Sequence, residues 1–202
     1  MVSFYHDGVW QCGSTFEWLD VKKIGFFDTS RRKAYQMMEE SNCQLQELAT
    51  TDVLTKLRNR RYVEDKLLNA TGSHYITMLD VDDFKKVNDQ FGHDQGDKVL
   101  IELADTLKNT VGSEDIVGRW GGEEFIIIFA ETNLARLEKT LTQLNQRVAN
   151  SKFAIERQIT ISIGLANHQA SRHRDSLRAV DQALYNAKAD GKNRFCTASQ
   201  LV

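Results

Sequence analysis

Two adjacent glutamates follow a pair of glycines in the segment Gly121-Gly122-Glu123-Glu124, and an apolar run at residues 126–129 comes soon after them. We predict a β-hairpin with strands at residues 115–120 and 123–130 and with the two glycines as its turn. The glutamates would then lie at the hairpin tip, where glycine lets a large ligand approach the backbone and carboxylates suit divalent metal and phosphate chemistry. The alternative is an ordinary hairpin with solvated glutamates, which is the more common case for this motif alone.

A second segment, at residues 78–97, is dense in polar side chains. An apolar run at residues 75–79 predicts a short strand that ends in Asp80, so that a carboxylate lies where a loop can gather ligands. Asp82 and Asp83 are candidates to cap a short helix after it. Each aspartate alone is usually a cap or turn residue, but that does not explain why this segment and the acidic hairpin occur together. The segment also supplies Lys85, Asn88 and Asp97.

Five blocks of the sequence, all in order, resemble the GGDEF family of diguanylate cyclases in its Gly-Gly-Glu-Glu-Phe form. Five blocks in register make coincidence improbable. The blocks are residues 52–61 (Asp-Val-Leu-Thr-Lys-Leu-Arg-Asn-Arg-Arg), residues 80–88, residues 91–97, the hairpin motif at residues 119–125, and residues 183–194 with Lys188 and Gly191-Lys192-Asn193-Arg194.

The resemblance implies a divalent metal site. It assigns Mg²⁺, or Mn²⁺, to Asp80, the backbone carbonyl of Val81 and Glu124. Glu123 becomes the candidate general base, with a share in the metal as its alternative role. Oxygen ligands of this kind hold hard divalent cations, which offset phosphate charge and lower the pKa of an attacking hydroxyl.

The resemblance also implies a guanine pocket at Asn88 and Asp97. An aspartate accepts hydrogen bonds from the N1 and N2 donors of guanine, and an asparagine amide can both donate and accept around N2 and N3. Adenine lacks the N2 donor, so the pair is expected to favour GTP over ATP. The alternative is that Asn88 caps a turn and Asp97 starts a helix.

Candidate phosphate contacts come from two helix ends. Lys188 and Lys192 lie one helical turn apart, so both ammonium groups can face the same side, and the N–H groups of Phe84 and Lys85 lie where a short helix begins. Arg119 is a further candidate contact. The alternative for the two lysines is favourable placement at a helix C-terminus, worth a few tenths of a kcal/mol to about 1 kcal/mol.

The activity implied by the resemblance joins two GTP molecules into cyclic di-GMP and releases two pyrophosphates. One domain holds one GTP, so a homodimer is implied. A catalytically silent GGDEF module that binds GTP or cyclic di-GMP as a receptor is one alternative, and a purely structural dimerisation module is another. Many family members carry an Arg-x-x-Asp product-binding site before the hairpin, but Gly112 stands here in place of the arginine. We therefore expect no product-inhibitory site.

These residues require an α+β domain to position them. We expect helix, strand, helix, β-hairpin, helix, strand, helix and a final strand from residue 51 to 202, with helical spacing at residues 134–148 and 177–187 and a strand at 159–166. This order, like the resemblance, indicates a ferredoxin-like GGDEF domain with a mostly antiparallel central sheet flanked by helices. Rossmann and P-loop folds are excluded because their glycine motifs are missing.

Residues 1–50 are expected to form an N-terminal extension with a signalling helix at residues 31–50, and the fold of residues 1–29 stays open. Apolar spacings of four and three indicate a coiled-coil seam, and an amphipathic helix packed on its own domain is the equal alternative. The seam residues are Ala34, Met38, Ser41, Leu45 and Leu48.

The composition limits the classes of binding partner and the cellular location that we expect. A formal net charge of -2 provides no broad basic field, so nucleic acid is not expected. Three cysteines without metal-ligand spacing indicate reduced thiols in a cytoplasmic protein, and the family resemblance implies a bacterial one. We expect no membrane span, because the sequence has no apolar stretch of about 18 residues, and no secretion signal, because the N-terminus lacks a charged region followed by an apolar one.

Overall fold

The computed structural model describes residues 4–6, 9–12 and 17–198, with side chains from residue 31 onward apart from residues 40, 42–44 and 46. The chain divides into two compact units, Met1–Leu48 and Ala49–Val202. The first unit contains an antiparallel sheet in the order β1-β2-β3, formed by β1 (Phe4–His6), β2 (Val9–Cys12) and β3 (Glu17–Asp20). No helix in the described part of the chain is long and apolar enough to span a membrane.

Helix α1 (Val21–Thr50) begins ten residues before the predicted start at residue 31. The prediction missed its first turns because Gly25 and the aromatic pair after it do not follow a helical apolar pattern. Met38, Leu45 and Leu48 expose 62%, 60% and 69% of their surfaces. Both the coiled-coil seam and an amphipathic helix packed on its own domain therefore stay predictions for this helix.

The second unit is built on a six-stranded sheet in the order β4-β6-β7-β5-β8-β9. Only the outer pairs, β4 with β6 and β8 with β9, are parallel. The four inner strands have the order of a ferredoxin-like sheet, which confirms the α+β prediction. The strands are β4 (Arg58–Asn59), β5 (Ser73–Val81), β6 (Ile116–Gly121), β7 (Glu124–Phe129), β8 (Ile161–Gln169) and β9 (Phe195–Thr197).

Helices cover both faces of this sheet: α2 (Arg60–Leu68), α3 (Phe84–Phe91), α4 (His93–Lys108), α5 (Leu134–Asn150) and α6 (His173–Ala189). One core contains side chains of α3, α4 and α5, and the other contains side chains of α2 and α6. Met78 of β5 and Ile126 of β7 belong to the second core. Because side chains alternate along a strand, Asp80 and Glu124 share that face with α6.

Helix α6 lies very close to β8 at Gly164. A Cβ atom on Gly164 would overlap the carbonyl of Val180 and approach the backbone nitrogen of Leu184 to 2.5 Å. Only glycine allows the helix backbone this near to the strand. The contact sets the position of α6, and α6 carries Lys188.

The β6–β7 hairpin has its turn one residue later than predicted. Gly121 pairs with Glu124, so Gly122 and Glu123 form the two-residue turn, and Gly122 adopts a φ of +36°. A bulge lies between Arg119 and Gly121. This extra residue shifts the register, and a bulge cannot be recognised from the alternation of apolar residues alone.

Candidate active site

Asp80 and Glu124 are direct cross-strand partners in the β5–β7 pair. Asp80 lies inside β5, not in a loop after it, and only 8% of its surface is exposed. Glu124 is the first residue of β7 and is half-buried, so only Glu123 of the two glutamates lies in the turn. The backbone N–H of Val81 donates to the carbonyl of Glu123 over 3.3 Å. The hairpin and the end of β5 therefore bring all four predicted metal and base residues together.

Burial raises the pKa of both carboxyl groups in this pair. For Asp80 the ammonium of Lys188 opposes the effect of burial without cancelling it, and Glu123 and Asp82 add to it. For Glu124 the neighbouring charges of Asp80 and Asp181 raise the pKa further. Two half-desolvated carboxylates that repel each other are stabilised by a cation placed between them.

Lys188 supplies such a cation from the last turn of α6. Its Nζ lies 2.8 Å from Oδ2 of Asp80. Lys192 lies beyond the helix end, in a segment where Gly191 has a φ of +113° and Lys192 a φ of +63°, and its Nζ lies 3.0 Å from Oδ1 of Asp83. The prediction that both lysines lie on one helix is therefore wrong for Lys192, although the turn still directs both ammonium groups to the acidic segment.

Asp83 is the residue immediately before α3, where we expected a capping side chain. Within the described residues its side chain makes no capping hydrogen bond. It has a left-handed φ of +57°, and its carboxylate pairs with Lys192 and with Lys86 at 3.1 Å. These hydrogen bonds, Lys192 first, lower the pKa of Asp83. The start of α3 is thus left without a side-chain acceptor. The N–H groups of Phe84 and Lys85 lie in the first turn, where the helix itself supplies no acceptor either.

Asp82 does not cap α3 either. Its buried carboxylate accepts hydrogen bonds from the hydroxyl groups of Thr160 and Ser162, both at 2.7 Å, and from the N–H of Asn193 at 3.1 Å. It therefore joins the end of β5 to β8 and to the segment that carries Lys192. We did not predict this role, and the only sequence signal for it is two hydroxyl residues at alternate positions in an otherwise apolar strand.

Asn88 and Asp97 lie in adjacent helices. Asn88 is inside α3 and Asp97 is in the second turn of α4, so neither of the capping alternatives holds. Gly96, next to Asp97, packs against the Asn88 side chain. The Oδ1 atom of Asn88 is buried and has no hydrogen-bond partner among the residues that the structure describes. Asp97 is exposed, and the Asn88 amide lies against the residue that precedes Asp97 in α4.

Arg119 makes intramolecular contacts. Its Nε and Nη2 donate to the carbonyl of Gly122 at 3.0 and 2.8 Å, and its Nη1 donates to Asp52 at 3.2 Å. Asp52 also accepts from the N–H and hydroxyl of Thr55. Burial alone would raise the pKa of Asp52, but the bonds from Thr55 and Arg119 outweigh it and lower the pKa. A phosphate contact by Arg119 stays a prediction.

The carboxylate of Asp115, in the turn before β6, accepts hydrogen bonds from backbone N–H groups of the same domain. Asp115 accepts from the N–H of Gly112 at 2.8 Å and from the N–H of Ala130 at 2.9 Å, so both carboxylate oxygens are engaged. Arg136, which follows β7 in the chain, forms an ion pair with Glu131 at 3.1 Å. The expected absence of a product site stays a prediction.

The donor set at Asp80 and Glu124 fits a hard divalent cation. The described residues contain no group of three or more His, Cys, Asp or Glu side chains arranged to hold a metal ion. Two carboxylates completed by a backbone carbonyl do not need such a group, because substrate phosphate oxygens and water commonly complete the coordination of Mg²⁺. The chemistry of the residues present therefore matches the predicted ion.

Comparison with known proteins identifies the family of this chain. A family model described as "Diguanylate cyclase, GGDEF domain" matches residues 49–194. A diguanylate cyclase of Vibrio cholerae is 38% identical over 169 residues, which cover 78% of this chain and 52% of that protein. Diguanylate cyclase DgcM of Escherichia coli K12 is 36% identical over 163 residues, which cover 77% of this chain and 40% of that protein.

A solved structure extends the comparison to the fold. The crystal structure of the coiled coil and GGDEF domain of DgcB from Caulobacter crescentus, in complex with c-di-GMP, matches with a TM-score of 0.80 at 26% identity and covers 87% of this chain and 99% of that one. The chain spans about half or less of the curated relatives named above. On its motifs, its sheet order and the match over residues 49–194, the chain belongs to the GGDEF-domain family of diguanylate cyclases.

Proposed function

We propose that this chain is a diguanylate cyclase that condenses two GTP molecules into cyclic di-GMP and two pyrophosphates. The observation that carries the proposal is the Asp80–Glu124 pair, which faces the ammonium of Lys188 beside the start of α3. We assign the catalytic domain to residues 51–202 and the extension with its helix to residues 1–50. Relatives at 36% and 38% identity that are named diguanylate cyclases support the assignment.

Asp80, Glu124 and the carbonyl of Val81 would hold Mg²⁺ or Mn²⁺. When bound, the ion offsets negative charge on the triphosphate and lowers the pKa of the attacking 3′-hydroxyl. The raised pKa values of Asp80 and Glu124 support this assignment, because a cation relieves the repulsion that causes part of the shift. The antiparallel pairing of β5 with β7 keeps the two carboxylates together without substrate.

The phosphates would bind to the two lysines and to the start of α3. Lys188 and Lys192 are paired with Asp80 and Asp83 in the free chain, so each ammonium is already held near the acidic segment. Triphosphate oxygens would replace these carboxylates as acceptors, which frees Asp80 for the metal. The N–H groups of Phe84 and Lys85 would add donors at a helix N-terminus, where anions are stabilised.

The guanine base would lie against Asn88 and Asp97. Asp97 accepts from N1 and N2 of guanine, while adenine offers no N2 donor and presents an acceptor at N1. A mismatch that leaves the carboxylate unpaired under a bound base costs about 1–3 kcal/mol, which disfavours ATP by about 5- to 150-fold. The unpartnered Oδ1 of Asn88 supports a pocket that a ligand completes.

Glu123 would take the proton of the 3′-hydroxyl. It lies in the turn, where the backbone is joined to Val81 and where no ladder partner restricts the side chain. Its neighbour Glu124 is held in the strand and is committed to the metal. The two adjacent glutamates thus have different roles because one lies in the turn and the other in the ladder.

Two copies are needed, because each domain has one set of these residues and the product contains two guanosines. We propose a homodimer that forms through α1, whose apolar residues at 38, 45 and 48 are exposed. Bringing two half-sites together raises their effective concentration, which is how a signal could control the rate. A GTP-consuming reaction and reduced thiols suit a cytoplasmic protein.

Incubation of the chain with GTP and Mg²⁺ tests the proposal against its alternatives. A cyclase forms cyclic di-GMP, a receptor module binds GTP or cyclic di-GMP without turnover, and a structural module does neither. Chromatographic detection of the product and calorimetric titration with both nucleotides separate the three. Binding without any product would replace the enzyme assignment with the receptor assignment.

A further inference from the structure

Helix α4 approaches α3 most closely at Gly96. A Cβ atom on Gly96 would overlap Oδ1 of Asn88 and would lie 3.2 Å from both the Asn88 Cγ and the Phe84 Cζ. Gly96 is buried, and its φ lies outside the left-handed region that would require a glycine. Glycine inside a helix is unfavourable compared with alanine. A glycine at this position is therefore explained by packing, because the Asn88 side chain fills the space that a Cβ atom would need.

The Asn88 side chain meets Gly96 through its amide. The amide Oδ1 has no hydrogen-bond partner in the described part of the chain, so no hydrogen bond to that atom fixes its position. Asn88 lies in the interior of α3, where side-chain rotamers are restricted by the preceding turn. An added methyl group on Gly96 would thus force the amide out of the position that it occupies beside Gly96.

We propose that Gly96 is a positioning residue for guanine recognition, because the space left by its missing side chain holds the Asn88 amide next to Asp97. The inference rests on the proposed function of the same pocket. The ligand class is a guanine nucleotide, and Gly96 acts on it only through Asn88.

The test is a double-mutant cycle on the full chain with Gly96→Ala, Asn88→Ala and the two combined. The probes are non-hydrolysable GTP and ATP analogues with Mg²⁺, titrated by calorimetry. Gly96→Ala should weaken binding of the GTP analogue by about tenfold and reduce the preference over the ATP analogue, as Asn88→Ala does. The double variant should bind no more weakly than Asn88→Ala, since the amide that clashes has been removed. Lys98→Ala, an exposed change on α4, is the matched control and should bind like the parent.

The thermal midpoint provides a readout that does not depend on turnover. Gly96→Ala should lower the midpoint of the parent by more than it lowers that of Asn88→Ala, because Asn88→Ala removes the overlap with the amide and leaves only the 3.2 Å approach to the Phe84 Cζ. Additive losses of affinity in the double variant, or a Gly96→Ala variant that binds like the parent, would overturn the inference while leaving the proposed function intact. A parent that binds neither analogue would overturn both.

Discussion

The ammonium of Lys188 lies 2.8 Å from Oδ2 of Asp80, which joins the end of α6 to the buried end of β5. Glu124 faces the same aspartate across the strand pair. The ammonium of Lys188 thus already pairs with the carboxylate to which we assign the metal ion. Substrate binding would therefore have to exchange partners: Lys188 moves from carboxylate to phosphate, and Asp80 is left for the metal.

Lys188→Met tests this exchange, because the change removes the charge and keeps an unbranched side chain that is only one atom shorter. We expect affinity for a GTP analogue with Mg²⁺ to fall about 10- to 100-fold, since a hydrogen bond to a charged group contributes about 1.5–3 kcal/mol. Calorimetric titration measures it. Lys86→Met is the control, because Lys86 is exposed and its ion pair with Asp83 is the one that the structure shows among the described residues. The affinity of this variant should stay near that of the parent. Equal affinities for parent and Lys188→Met would count against a phosphate role.

Asp80→Asn should raise the thermal midpoint in metal-free buffer at neutral pH while it abolishes activity. The pKa of Asp80 is raised above 3.8 in the folded chain, chiefly by burial, so the folded state binds this proton more readily than the unfolded state does. The ionised carboxylate consequently lowers stability above its folded pKa. The advantage of the variant should be absent below pH 3.8 and should grow as the pH rises through the raised pKa.

Thermal melts of parent and Asp80→Asn between pH 4 and 8 measure this difference, with Asp89→Asn as the exposed control on α3. Turnover by Asp80→Asn should fall at least on the order of 100-fold, because metal assistance is worth several kcal/mol. A lower midpoint for Asp80→Asn at every pH would show that the Lys188 ion pair outweighs burial, contrary to our interpretation.

Added cyclic di-GMP at low micromolar levels should not slow the reaction. The turn at residues 112–115 has no arginine, and both oxygens of Asp115 are engaged by the N–H groups of Gly112 and Ala130. Progress curves with and without added product measure the effect. Noncompetitive inhibition would reveal a product site that we have not identified.

Leu45→Asp should lower the specific activity most at dilute protein, because a charge in the seam opposes dimer formation through α1. Activity per mole of the parent should rise with enzyme concentration, and deletion of residues 1–50 should remove most of that rise. Glu39→Gln, off the predicted seam, is the control. Activity per mole that stays flat across dilution of the parent would contradict control by dimerisation.

The sequence predicted which residues form the site better than it predicted how they are held. Apolar spacing predicted the order of strands and helices apart from the two-residue edge strand β4 and the division of the helix after β5 into α3 and α4. Asp80, Glu124 and Lys188 do meet in the structure. The Asp82–Ser162 and Asp52–Arg119 contacts were missed because they join residues 80 and 67 positions apart, beyond any local pattern. The shifted hairpin turn was missed because a single bulge residue leaves the apolar pattern on either side unchanged.

Conversion of GTP to cyclic di-GMP by the parent and by Glu124→Gln, each with Mg²⁺, tests the central claim most directly. The parent should form cyclic di-GMP, and Glu124→Gln should form at least on the order of 100-fold less with its fold unchanged, because it loses a ligand from the metal site. Glu114→Gln, an exposed acid outside the site, should match the parent. No product from the parent, or near-normal product from Glu124→Gln, would contradict the assignment of this acid pair to the chemistry.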